Sequence, residues 1–380
     1  MWPTASTAFL VIHGAGPHRP FEVLDPFARG VWNVLKEQNP DIQWQHRLRR
    51  RQGWIENYVS LALDGKPAVD FYEYYWDCYM VHKVTGDEAF DWLARTSAGA
   101  KEFYKEQPDL AKRYQDLGID LFKDGEFRSN GYVRVLLGSV AEAPLLRPLV
   151  PLLQSVPRVG PILKAIIGWV SRWVIGQLND AVIYTTADPR SENYEVRGKV
   201  LSGAVEELRL LLESNDQERG YQRIIVVGHS LGSVIGYDAL NRINHDMNVS
   251  GGISKAVGGK VAGLVTFGSP LDKIAFYFRQ QVPADNFVQS QILEHFHGFK
   301  RLPPPKREGP EIKGPTEPLL DGARWLNFWH RGDWISGSLD AYAGVENIEC
   351  RESARGSGKA HASYWNSDHM YHAIAEAFLG

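Results

Sequence analysis

The 380-residue sequence predicts an α/β fold, with a mostly parallel central sheet, helices on both of its faces and a helical cap inserted into it. Three observations predict this. Apolar runs with no polar alternation recur along the chain, as expected for strands buried on both faces. Segments with apolar residues at helical spacing lie between them. The strongest runs end at glycines, where a buried strand gives way to a tight loop. Strands alternating with helices imply a parallel sheet covered on both sides.

The elements follow in order. Ala8–Ile12 is a short buried strand that stops at His13-Gly14-Ala15-Gly16-Pro17. A helix is expected from about Pro26 to Gln38, and an aromatic-rich strand over Val69–Trp76. Glu195–Glu213 carries Val196, Val200, Leu201, Ala204, Leu208 and Leu211 at helical spacing. Arg223–Val227 is a β-branched run suited to a central strand, and Ser233–Ile243 reads as a helix. Val261–Phe267 and Trp325–Trp329 are further strands, Arg301–Pro318 is a proline-rich loop, and Asp368–Phe378 closes the chain as a helix.

The stretch 83–178 differs. Its first part is charged and helix-prone, as at Asp109–Leu117. From Tyr132 to Leu178 it is strongly apolar, broken by Pro144, Pro148, Pro151, Pro157 and Pro161. A spanning helix needs about 20 mostly apolar residues, and Arg147, Arg158, Lys164 and Arg172 interrupt the run. Three readings stay open: a helical cap over a site, which is preferred; a membrane-surface element, which Trp169, Trp173 and the spaced basic residues would suit; and a membrane span or hairpin. The domain expectation is a core of 1–82 and 179–380 with a mainly helical insertion at 83–178.

Forty-two basic residues against 45 acidic ones give a net charge of -3, so the basic footprint of a nucleic-acid binder is absent. The one basic run, His46–Arg51, reads as a solvated helix or loop face, with contact to a phosphate or an anionic headgroup as the alternative. Two widely spaced cysteines, Cys78 and Cys350, make neither a disulfide framework nor a metal site. No clustered ligand spacing and no second glycine-rich phosphate loop are present, so neither metal nor cofactor is expected. Residues 1–7 lack the basic start of a secretory signal. The expected location is cytoplasmic, with membrane-surface association through 132–178 as the open alternative.

Gly228-His229-Ser230-Leu231-Gly232 carries the chemistry. A G-x-S-x-G pattern gains meaning from context, because its serine must stand on a sharp bend between strand and helix with the hydroxyl above the sheet edge. Here a buried strand leads in and a helix leads out. Gly228 and Gly232 leave room for the bend. Ser230 is then a nucleophile, and a serine hydroxyl needs a histidine base and an acid to orient it. In such folds the chain order is serine, acid, histidine. Asp333 follows the strand Trp325–Trp329 across a short loop and is the favoured acid; Asp272 is its rival, and Asp321 and Asp340 lie in less suitable loops. His361, read as lying on a loop before the last helix, is the favoured base over His369; His372, His295 and His297 fit less well. Two backbone N–H groups must hold a developing oxyanion. Leu231, after the nucleophile, supplies one. The loop after the first strand supplies the other: Ala15 by preference, with Gly14 or Gly16 open, since Pro17 has no N–H.

These pieces resemble the α/β-hydrolase lipases and esterases, in His13-Gly14-Ala15-Gly16, Gly228–Gly232, Thr266-Phe267-Gly268-Ser269-Pro270 and His361-Ala362-Ser363-Tyr364-Trp365. The Thr266–Pro270 stretch is similar to the strand end in class 3 lipases and in lipase-like proteins related to the glycosylphosphatidylinositol inositol-deacylase. In those relatives the catalytic aspartate follows the next strand, which by position is Asp333. Asn179–Tyr184 is similar to intracellular phospholipase-like hydrolases. The resemblance covers 1–80 and 180–380 in pieces and leaves out the insertion. With the serine motif it implies a serine hydrolase that cleaves a carboxylic ester through an acyl-enzyme intermediate, with a small-molecule or lipid ester as substrate; the apolar insertion, rich in Leu, Val, Ile and Trp, argues for a lipophilic acyl chain or a lipid surface. A thioesterase, acyltransferase or peptidase on the same scaffold stays open, as does a non-catalytic binding or membrane-scaffolding protein.

Overall fold

The computed structural model describes residues 5–51, 54–80, parts of 100–132, 179–186, 190–214, 220–274, 286–302, 309–352 and 357–380. The strands are β1 (Thr7–Ile12), β2 (Gln43–Arg51), β3 (Trp54–Leu63), β4 (Lys66–Tyr74), β5 (Phe122–Lys123), β6 (Glu126–Phe127), β7 (Arg223–His229), β8 (Val261–Phe267), β9 (Arg324–His330) and β10 (Val345–Cys350). The longer helices include α1 (Leu24–Gln38), α2 (Pro108–Asp116), α3 (Glu192–Glu213), α4 (Leu231–Met247), α5 (Phe287–Phe296), α6 (Ser357–Ser363) and α7 (Asp368–Phe378).

Eight strands form one sheet in the order β10-β9-β8-β7-β1-β4-β3-β2. From β10 to β4 every pairing is parallel, and β3 and β2 extend that edge antiparallel. The α/β class and the mostly parallel sheet are therefore present. Successive residues of a strand face opposite sides, which explains the unbroken apolar runs. In β1, Ala8, Leu10 and Ile12 join the core packed by α3 and α4, while Phe9 and Val11 join the core packed by α1 and α7. In β7, Ile224 and Val226 face the first core, and Ile225 and Val227 the second. Helix starts follow side-chain chemistry: Ser191 caps α3 and Ser367 caps α7, each accepting from a backbone N–H within the first turn.

The chain order reverses between β1 and β7, because β4 lies on one side of β1 and β7 on the other. In open parallel sheets such a switch point leaves a crevice outside the carboxyl ends of the strands. The register sets Ile12 beside Gly228 and His229 beside Phe267. The loops leaving β1, β7 and β8 thus start at the same height.

Several expectations change: the strand expected over Val69–Trp76 is Lys66–Tyr74, the one expected to end at Val227 runs to His229, and the helix expected over Ser233–Ile243 is Leu231–Met247. His46–Arg51 is neither helix nor loop: it belongs to the edge strand β2, paired with β3. His361 lies on the short helix α6, not on a loop. The strand expected to stop at Trp329 runs to His330. Most of 83–178, including nearly all of 132–178, lies outside the described residues, and so do the readings that fall on it. The described parts of the insertion hold α2, the β5–β6 hairpin and a group of buried aromatics, Phe103, Tyr104, Tyr114 and Tyr132. No helix among the described residues is long and apolar enough to cross a membrane.

Candidate active site

Ser230 stands between β7 and α4 with φ 50° and ψ −125°. A positive φ is unusual for a residue with a Cβ and costs on the order of 1–3 kcal/mol, so the surroundings must hold it. They do so through the backbone. The Ser230 N–H donates to the Phe267 carbonyl at 3.0 Å, and its carbonyl accepts from the Ser233 N–H at 3.0 Å and from the Ser233 hydroxyl at 2.5 Å. The Ser233 hydroxyl in turn lies 2.7 Å from Ser269 Oγ, which ties the bend to the end of β8.

Neighbouring glycines let other elements reach the bend. A Cβ on Gly14 would lie 2.9 Å from Ser230 Cβ, so the loop after β1 rests directly on the serine. A Cβ on Gly228 would lie 2.4 Å from Ser233 Cα, within the bend itself. Gly268, at φ 61°, leaves room for the His361 ring, whose Cε1 would be 3.0 Å from an added Cβ.

His361 Nδ1 donates to Asp333 Oδ2 at 2.8 Å. The Tyr364 hydroxyl donates to the same oxygen at 2.9 Å, and the Ile335 N–H reaches Oδ1 at 3.0 Å. The Asp333 side chain is fully buried and that of His361 is 17% exposed. Burial pushes the Asp333 carboxyl up. The adjoining His361 charge and the hydrogen bonds from His361, Tyr364 and Ser336 outweigh it and hold the group down at about 2. With Nδ1 committed to Asp333, the other ring nitrogen, Nε2, carries the lone pair of neutral His361.

This depressed carboxyl has a consequence for stability. Its folded value of about 2 lies below the ordinary 3.8, so its contribution is complete above about pH 4 and lost as pH falls toward 2. The size is roughly 2 kcal/mol. Chemical denaturation of wild type and Asp333→Asn between pH 6 and pH 2 checks it: wild type should lose that much more than the variant on acidification. Parallel losses would remove the claim.

His361 sits beside the neighbours of Ser230. The His229 ring is 4.9 Å from the His361 ring, and His229 Nε2 donates to the His361 carbonyl at 3.3 Å. Burial, then the nearby His361, push His229 down to about 3, so it remains neutral. The loop after β1 is anchored by another neutral histidine. The Trp76 N–H donates to His13 Nε2 at 3.1 Å, so Nδ1 carries the proton and donates to the Gly14 carbonyl at 2.9 Å. Burial pushes His13 down to about 3.

The other sequence candidates lie elsewhere. Asp272 is buried and paired with Lys273 Nζ at 3.2 Å. The Asp340 carboxylate meets Ser338 and Asn347. His369 and His372 are exposed on α7, the latter 3.4 Å from Glu37. His295 belongs to α5, and the His297 carbonyl just after it accepts from Tyr237 of α4. Of the three residues considered for the second oxyanion donor, Gly16 donates its N–H to Asp180 Oδ2 at 2.7 Å, which leaves Ala15 and Gly14. Leu231 is the first residue of α4. Among the described residues, no three His, Cys, Asp or Glu side chains are grouped to hold a metal ion.

Comparison with family models, with curated proteins and with solved structures finds no match for the chain. Two residues that the sequence names only within longer stretches, with no role of their own, hold the site's geometry. Tyr364 lies three residues after His361, a helical spacing that sets both on Asp333. Asp180 is separated from Gly16 by 164 positions, and no local pattern links them.

Proposed function

We propose that the chain is a serine hydrolase on an α/β-hydrolase fold, cleaving a carboxylic ester. The observation that carries this is Ser230 held at positive φ on a strand-to-helix bend, with the His361–Asp333 pair packed against the residues that flank it. In this reading Ser230 Oγ attacks the ester carbonyl as His361 Nε2 takes its proton. Asp333 stabilises the imidazolium through Nδ1–H. The Leu231 and Ala15 amides hold the oxyanion until the C–O bond breaks and His361 returns the proton to the leaving alcohol. Water, activated by the same histidine, then releases the acid and restores the hydroxyl.

The buried aromatics of the insertion support a cap and a lipophilic acyl group. Lys273, just past the end of β8, has its ammonium 5.6 Å from the Tyr114 ring centroid, so the insertion packs close to the carboxyl ends of the strands. The two free thiols, Cys78 and Cys350, suit a cytoplasmic setting.

A fluorophosphonate probe tests the proposal, since it phosphorylates an activated serine far faster than an ordinary hydroxyl. Wild type is expected to label and Ser230→Ala to stay unlabelled. Folded wild type that takes no label would favour the non-catalytic binding reading. Turnover across oxygen esters, thioesters and amides of matched acyl length then separates an esterase from its relatives; a faster thioester or amide, after correction for intrinsic reactivity, would overturn the ester assignment.

A further inference from the structure

The loop after β1 must present an amide to the oxyanion, yet a glycine-rich loop has little stiffness of its own. The peptide planes on either side of Ala15 are each held by a side chain. All described peptides are trans, so within each plane the C=O and N–H point in opposite directions. His13 Nδ1–H holds the Gly14 carbonyl at 2.9 Å, which turns the Ala15 N–H to the opposite side. The Gly16 N–H, the far side of the next plane, is held by Asp180 Oδ2 at 2.7 Å. Asp180 is buried, only 5% exposed, on the short helical segment where the chain returns from the insertion. Its other oxygen accepts from Asn179 Nδ2 at 3.2 Å. Where the chain leaves for the insertion, Asp77 Oδ2 accepts from the His18 N–H at 3.4 Å. Both ends of the insertion thus grip the same loop.

We propose that Asp180 is a positioning residue for the reaction: its carboxylate fixes the Ala15–Gly16 peptide and so keeps the Ala15 amide aimed at the oxyanion. The inference rests on the serine hydrolase reading. A buried carboxylate is costly to maintain unless hydrogen bonds compensate it, and this one is directed at the backbone of the loop that carries the proposed donor. A charge-assisted bond to a backbone N–H is also about twice as strong as a neutral one, which suits a site where a small error of aim is expensive in rate.

The test uses the full chain. Active sites are first counted by fluorophosphonate titration, and steady-state kinetics on a short acyl ester are normalised to that count. Asp180→Ala, and Asp180→Ser as a milder truncation, are expected to lower kcat about 10- to 100-fold with KM within twofold, the ceiling being the 10²–10³ typical of losing one oxyanion donor. Asp180→Asn, which keeps an acceptor oxygen, is expected to stay within about fivefold of wild type. Affinity for a trifluoromethyl ketone of the same acyl group should fall in parallel with kcat. Unchanged kcat per titrated site in both truncations, or a loss confined to KM, would overturn the proposal while labelling of Ser230 stood. Absence of any labelling in wild type would instead overturn the hydrolase reading and this inference with it.

Discussion

His361→Ala is expected to lower turnover per folded molecule by about 10⁴-fold or more, the scale found when the general base of a serine hydrolase is removed. The geometry gives the reason. The ring is held from below by a fully buried carboxylate at 2.8 Å and flanked by His229 at 4.9 Å. The carboxylate is itself held by Tyr364 at 2.9 Å, so the imidazole has one orientation and one tautomer to offer. In the proposed reading, removing the ring takes away the acceptor for the Ser230 proton and returns the hydroxyl to the reactivity of an ordinary alcohol. His369→Ala is the matched control, because that side chain is exposed on α7 and should change turnover less than twofold. Asp333→Asn should fall between the two and is informative about tautomer, since the amide can donate to Nδ1 and stabilise the wrong one. Stopped assays at several pH values, with folding monitored by circular dichroism, check all three. If the His369 variant lost the larger share, the base would have been assigned to the wrong histidine.

The parts of this site that were legible in the sequence are those encoded by local pattern. Arg223–Val227 and Val261–Phe267 are unbroken apolar runs because they lie in the middle of a sheet with a core on each face. The glycine at each end of Gly228–Gly232 marks a backbone under steric pressure. Edge strands carry no such signal. In β2 the sequence Gln43–Arg51 is almost wholly polar, and its strand state comes from pairing with β3, a contact that composition does not encode. The edge strand β10 alternates only weakly, with Glu346 and Glu349 half-solvated among Val345 and Ile348, and went unread for the same reason. The helical state of His361 was hidden by Gly358 and by the shortness of α6. Asp333 is favoured in the sequence by its place after a strand, but that pattern does not separate it fully from Asp272. Asp272 and Asp333 both follow strands, and only the structure pairs one with Lys273 and the other with His361.

Gly232→Ala is expected to destabilise the fold by about 3 kcal/mol or more, whatever its effect on chemistry. Gly232 is buried in the first turn of α4, where alanine is ordinarily the better helix former by about 1 kcal/mol. The sign reverses here because of what the helix packs against. An added Cβ would lie 2.3 Å from the Ile12 carbonyl oxygen and 2.4 Å from that of His13. Both are backbone atoms at the end of a central strand, so neither can rotate away as a side-chain tip would. Relief requires α4 to back off from β1, and that motion would also carry Ser230 away from Gly14, where an added Cβ would lie 2.9 Å from the Ser230 Cβ. Stability and activity should therefore fall together. Gly198→Ala in α3 is the opposite-sign control. That residue is exposed, a Cβ there meets nothing within 4 Å, and the substitution should stabilise by about 0.5–1 kcal/mol through helix propensity alone. Urea denaturation of the two variants beside wild type reads the contrast directly. A Gly232→Ala variant as stable as wild type would mean that α4 does not press on the end of β1, and the tight seat inferred for Ser230 would go with it.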